Sequence, residues 1–395
     1  MERVHLVIPA LLLHLGTVAQ SWETLPDVPI ELAFPVVVEF EGTIHVIGGG
    51  APAGAYDIHL RYTPATNQWD TLAPVPYRAQ QPCGAVVGGK IHFCGGGYPN
   101  SGTPLDDHYY YDGTLDQWFP AAPLPFPTVI NEAAEMDGKL YVLSGQPNRT
   151  LCQYYDPATD EWTPANPLPD MDFWYGAIIS ARGTIYRFGG GGYISPTSNS
   201  HVYDASNDDW PGLPDMPGAL HAPAGANLGD SLLCIAGGYF NAATDAVWLY
   251  DIDAQTFSPS ALLPSARSYH SLVVAGGCLY CVGGDGGDPS IGVSLLRNCS
   301  PSILTGVPEA YPRGTVPFST LYTPTGLDIQ FKGSVASQPI WIDVSDATGK
   351  SIRSEGVSTS MGTRHVSADH LANGLYTVAV HIGSARYLIK WMVQR

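Results

Sequence analysis

Nine residues combine type and spacing in a way that chemistry could use: Arg78, Asn131, Glu132, Trp174, Tyr175, His221, Arg267, Tyr269 and His270. Each lies a few residues ahead of an apolar run that leads, through a turn, to a glycine-rich pair. A carboxylate near an arginine suits acid/base work and carboxylate binding, and Glu132 with Arg78 or Arg267 supplies those types. The histidines and aromatic residues suit hydrogen bonding and stacking against a sugar or peptide. The set is a candidate ligand-binding cluster in which no residue is singled out as catalytic.

Other chemistries are poorly supplied. No glycine-rich stretch ends in Lys-Ser or Lys-Thr or opens a helix, so there is no phosphate loop. Asp285-Gly286-Gly287-Asp288 and Asp106-Asp107 lack the further spaced oxygens of a calcium loop. Cys278 and Cys281 form a lone C-x-x-C spacing, whereas a zinc site wants two. No metal and no cofactor are expected. Asn148-Arg149-Thr150 and Asn298-Cys299-Ser300 match a glycan-acceptor pattern that a bacterial host seldom uses.

The elements that must position the cluster come from an internal repeat. Trp22, Trp69, Trp118, Trp162, Trp210 and Phe257 mark it. So do the pairs opening at Gly48, Gly95, Ser144 (with Gly145), Gly189, Gly237 and Gly283. Tyr62, Tyr111, Tyr155, Tyr203 and Tyr250 each stand seven residues ahead of the next aromatic. Between the markers run short apolar segments such as Gly84-Ala85-Val86-Val87 and Ile91-His92-Phe93-Cys94, joined by glycine turns. Units of four short antiparallel strands cannot bury both faces alone, so the copies stack radially with their aromatic columns between them. Six pairs predict six blades around a channel, with the nine residues converging at one mouth. The last blade needs a fourth strand, supplied by the segment at Trp22 or by the one at Ile303; the proline-rich stretch from Pro308 favours Trp22.

Composition agrees with an all-β chain: 44 Gly and 34 Pro in 395 residues, with 14% charged. The net charge is −18, and residues 20–326 hold 10 basic against 30 acidic side chains, a balance that repels nucleic acid. Residues 1–19, with Arg3, an apolar run to Leu13 and the small residues before Ala19, read as a secretory signal. No later apolar run is long enough to span a membrane. Seven cysteines in an exported chain permit disulfides. Cys83 and Cys94 would face each other across a Gly88-Gly89 hairpin, whereas Cys278 and Cys281 point to opposite faces of one strand.

After Pro308, Pro312, Pro317 and Pro324 the repeat markers stop and a new domain begins. Leu327 to Phe331 and Ile340 to Val344 alternate. Ile342 to Val357 reads as a hairpin, and Leu375 to His381 with Tyr387 to Val393 as another, which together suggest a small β-sandwich.

The glycine pairs, the Tyr-Asp and the Trp followed by Leu-Pro or Pro-Leu-Pro resemble the kelch repeat. Tyr322-Thr323-Pro324-Thr325-Gly326, Asp346-Ala347-Thr348-Gly349-Lys350, Asn373-Gly374-Leu375-Tyr376 and Lys390-Trp391-Met392-Val393 resemble the C-terminal sorting domain of the type IX secretion system of Bacteroidota. The first block departs from that family's usual Tyr-Pro-Asn-Pro. Together the resemblances imply a signal peptide (1–19), a six-bladed kelch-type β-propeller (20–307), a Pro-rich linker (308–326) and an Ig-like sorting β-sandwich (327–395). They imply secretion or surface display through the secretion machinery, with removal of the C-terminal domain. Some kelch propellers are enzymes. Copper oxidases resembling galactose oxidase need a Cys-Tyr crosslink that nothing here places beside His221 and His270. Sialic acid mutarotases are six-bladed kelch proteins, and Glu132 with an arginine fits that chemistry. A non-catalytic protein- or glycan-binding module is the leading expectation, and a sugar mutarotase the alternative.

Overall fold

The computed structural model describes residues 22–299 apart from 52–53, 98–102, 131, 170–173, 193 and 230, and then 318–323, 326–331, 340–345, 351–357, 363–367, 371, 374–382 and 385–393. The chain divides into two compact units, 1–306 and 307–395. The expected signal segment, Asn131 and Ile303 lie outside the described residues.

Unit one is a ring of six four-stranded antiparallel sheets. Each begins with two short strands, such as Val36–Phe40 and Thr43–Ile47, or Cys83–Val87 and Lys90–Cys94. The residues between them explain why they fold back. Gly88-Gly89, Asp137-Gly138 and Arg182-Gly183 all take positive φ at both positions, from 52° to 74°. Those torsions match the twist of the flanking strands. In the first five blades the four strands follow in chain order from the channel outward. The sixth consists of Ser271–Ala275, Cys278–Val282, Leu295–Asn298 and, outermost, Glu23–Thr24 from the other end of the ring. Glu23 opposes Arg297 in register and pairs with its guanidinium at 2.7 Å. The Trp22 segment thus closes the ring.

The aromatic columns join neighbouring blades through polar as well as apolar contacts. The indoles of Trp69, Trp118 and Trp162 donate to the carbonyls of Pro26, Ala73 and Ala122 at 3.1, 2.9 and 2.8 Å. Tyr111 and Tyr155 donate to Asp116 and Asp160, both at 2.8 Å. The same carboxylates accept from the Ala73 and Ala122 amides of the preceding blade. Each aspartate thereby satisfies a buried phenol and an otherwise open backbone donor.

Cys278 and Cys299 form a disulfide that ties the sixth blade's second strand to the end of its third. Cys83 and Cys94 face each other in register across the hairpin, as the sequence places them, here as thiols 3.5 Å apart.

In unit two, Phe318–Thr323, Gly326–Phe331 and Thr363–Ser367 form one sheet. Ser351–Val357, Ile340–Ser345, Gly374–Ile382 and Ala385–Val393 form the other. Ile329 and Val366 of the first and Ile342, Val344, Val378 and Val380 of the second are buried, as a β-sandwich requires. One boundary needs correcting. Residues 318–323, read from sequence as part of the linker, pair with Gly326–Phe331. Pro317 and Pro324 stand just outside this strand in the sequence.

Candidate functional site

Two residues before each innermost strand the backbone turns left-handed, in all six blades and never at glycine. Phe34, Gln81, Ile130, Tyr175, Ala222 and Tyr269 have φ between 51° and 62°. Such a torsion costs a non-glycine residue about 1 kcal/mol or more, and for β-branched Ile130 it is exceptional. Part of the offset is visible: Ala222 N–H donates to Tyr175 O at 2.9 Å, Tyr269 N–H to Ala222 O at 3.3 Å, and Phe34 N–H to Tyr269 O at 3.2 Å. These bonds stitch consecutive blades around the mouth.

The glycine pairs let these loops approach. A Cβ on Gly190 would stand 2.7 Å from Trp174 O, and one on Gly284 2.8 Å from Ser268 O. Both glycines have strongly positive φ, 101° and 108°. Any side chain would push the mouth loop off its blade.

The ring brings three aromatic side chains together on the channel axis. Phe34 and Tyr269 lie 4.5 Å apart between ring centroids, Tyr175 and Tyr269 5.6 Å, and Phe34 and Tyr175 6.1 Å. Gln81 donates its amide to the Tyr175 hydroxyl at 2.8 Å. His221 Nδ1 faces the Gly191 carbonyl at 2.6 Å, and since a carbonyl only accepts, Nδ1 carries the proton. Nε2 then accepts from the Tyr269 hydroxyl at 2.8 Å. Burial lowers the His221 pKa, so the imidazole is neutral at physiological pH. Burial holds the Tyr175 phenol well above its ordinary value. The cluster is uncharged and offers ring faces and hydroxyls.

Beneath it, Glu132 faces the channel from the third blade. It accepts from Gly176 N–H and approaches Arg187 at 3.6 Å. Burial pushes this carboxyl up to about 7, against the opposing pull of Arg187 and the Gly176 amide. Arg187 is fully buried and also donates to Gly189 O at 2.7 Å. His270 lines the channel too, and burial lowers it to about 3.

Beside the aromatic cluster a cavity of about 460 Å³ opens between the loops of the sixth, first and second blades. Its walls include Phe34, Gln80, Gln81, Glu31, Asp285 and Asp288, and no Lys or Arg among the described residues. Asp288 caps a single helical turn, Pro289–Gly292, at this rim.

Of the nine residues read from sequence, Tyr175, His221 and Tyr269 converge at the mouth, Trp174 packs tilted beside Tyr175 with ring centroids 5.4 Å apart, and Glu132 and His270 line the channel below. Arg78 instead pairs with Asp57 on the surface at 3.2 Å. Arg267 is buried, bonded to Gly283 O at 3.0 Å and Ser294 Oγ at 2.7 Å. Neither reaches Glu132, whose arginine is Arg187. Sequence reading also passed over Phe34, Gln80 and Gln81. Phe34 and Gln81 occupy the same column as Tyr175 and Tyr269, which was their available signal. Among the described residues no group of three His, Cys, Asp or Glu could hold a metal ion.

A secretion system C-terminal sorting domain matches residues 324–394. Over 98 residues, 24% of its length, the chain is 30% identical to Kelch-like protein 23 of Homo sapiens, with the same figures for Mus musculus. The match spans 18% of those relatives. The solved structure of YjhT superposes with a TM-score of 0.59 at 17% identity, covering 69% of this chain and 95% of that one. This is a kelch-type propeller carrying a C-terminal sorting domain. The sorting domain makes the kelch propeller a type IX secretion cargo, secreted or held at the cell surface. Among the described residues no helix is long and apolar enough to cross a membrane.

Proposed function

We propose that the kelch propeller is a secreted or surface-displayed binding module that takes a neutral glycan at its mouth. The lining of the 460 Å³ cavity carries this reading: one aromatic ring, two amides and three carboxylates, with no cation among the described lining residues. Amides and carboxylates bond hydroxyls in both directions, the Phe34 face suits the apolar side of a pyranose, and the carboxylates repel acidic ligands. A glycan array probed with the purified propeller tests it. Neutral oligosaccharides are expected to bind, and Phe34→Ala or Gln80→Ala to weaken binding about tenfold, the loss of roughly 1.4 kcal/mol. Absence of binding to every glycan would refute the reading.

The Glu132–Arg187 approach favours a second reading, a sugar mutarotase in which Glu132 moves the proton. Its carboxyl titrates near neutrality, as a general acid/base should. Against it, Arg187 is enclosed and engaged by Glu132 and Gly189, so it is not itself displayed for a substrate carboxylate. Faster anomerisation of sialic acid with the propeller, abolished by Glu132→Gln, would establish this reading over the first.

A further inference from the structure

We propose that Cys83 and Cys94 are joined in the exported protein as a second disulfide, which fixes the strand leading down from the mouth. Three observations converge. The two residues are direct partners across the hairpin Cys83–Val87 and Lys90–Cys94. Their sulfurs are in contact at 3.5 Å, so bonding at about 2.05 Å needs only a small closing movement. The chain already holds one disulfide, Cys278–Cys299, and carries a sorting domain for export, so its cysteines meet an oxidising compartment.

The pairing is specific to this position. At the equivalent places in the first and fourth blades stand Val36 with Ile47 and Ala177 with Phe188. The other cysteines outside the known bond have no cysteine opposite them: Cys152 opposes Leu143, Cys234 opposes Ala226 and Leu249, and Cys281 opposes Leu272 and Leu296.

Both thiols are buried, so the bond forms while the blade is still folding. One thiol attacks the active-site disulfide of an exported protein thiol oxidant, giving a mixed disulfide. The second thiol then displaces that oxidant as its dithiol. Two electrons and two protons leave the cysteine pair and reduce the oxidant. The bond would hold the residue that follows Gln81-Pro82, and Gln81 is the side chain that anchors the Tyr175 hydroxyl.

Peptide mapping of the full chain, exported by its own host and purified without reductant, tests this. Unfolding in the presence of iodoacetamide should alkylate Cys152, Cys234 and Cys281. Cys83 and Cys94 should appear in joined peptides, lighter by two hydrogens than the reduced sum. Alkylation of Cys83 and Cys94 overturns the proposal, whether or not Cys278–Cys299 is bonded, and so does either one joined to a different cysteine. Serine at both positions should also lower the thermal midpoint of the non-reduced protein more than it lowers that of a sample reduced during unfolding; equal shifts would count against the bond.

Discussion

Glu132 and Arg187 occupy positions that neighbouring blades fill without charge. Val36, Ala177 and Ala224 begin their strands where Glu132 begins its own, and Val46 and Val142 stand one residue before the strand end, as Arg187 does. Truncating one partner leaves the other charge or polar group buried alone, so Arg187→Met is expected to cost about 3–5 kcal/mol in urea unfolding, while Glu132→Leu with Arg187→Met recovers most of that loss. Glu132 also sets a pH dependence of its own. Its folded pKa, about 7, lies above the ordinary value, so its contribution is fully present at low pH and is lost as pH rises through 7. Glu132→Gln should remove that fall between about pH 4.5 and 7, and an unchanged profile would contradict the assignment. The double variant should still bind neutral glycan, because neither residue lines the larger cavity.

Two strand pairs carry hydrogen-bonded histidines: His45 with His59 at 2.8 Å and His92 with His108 at 3.0 Å. Burial lowers all four, to about 4, 3, 3 and 4. Burial sets the direction at both pairs; Arg61 adds to the lowering at the first, while Asp116 there and Asp160 at the second pull the other way and are outweighed. A depressed histidine stabilises the fold above its unfolded pKa near 6.5 and loses that contribution as pH falls toward 4. Unfolding free energy should therefore drop by on the order of 1 kcal/mol per histidine between pH 7 and 5. Glu132 opposes this trend with a single group, and a flat acid limb in denaturant titrations would be the contrary result. The glycine pairs give a sharper contrast. Gly190→Ala should destabilise by more than about 2 kcal/mol and displace the mouth loop, whereas Gly218→Ala, with nothing within 4 Å, should be near neutral by calorimetry. Glycine pairs, strands and blade number were readable because they repeat. The left-handed torsion two residues before each strand was not, since Phe34, Gln81, Ile130, Tyr175, Ala222 and Tyr269 share a place in the repeat but no chemistry that demands it. The Glu132 partner was missed for a related reason: Arg187 lies inside a strand, where spacing suggests core.

The ring as a whole depends on Glu23–Thr24 completing the sixth blade, and the Pro26 carbonyl there receives the Trp69 indole of the first. Removing residues 22–26 should lower the thermal midpoint of the entire propeller in one cooperative transition; a separate melting of the sixth blade would show that closure is local. Charge also acts at this level. With 30 acidic against 10 basic residues between 20 and 326, and three carboxylates at the cavity, the proposed binding module is expected to select against anionic ligands by both its field and its lining. Titration calorimetry of the intact propeller with a neutral oligosaccharide and its sialylated counterpart tests that most directly. Binding of the neutral sugar, weaker binding of the sialylated one, and about tenfold weakening of both with Phe34→Ala are predicted. Preference for the sialylated sugar, untouched by Phe34→Ala, would contradict the account.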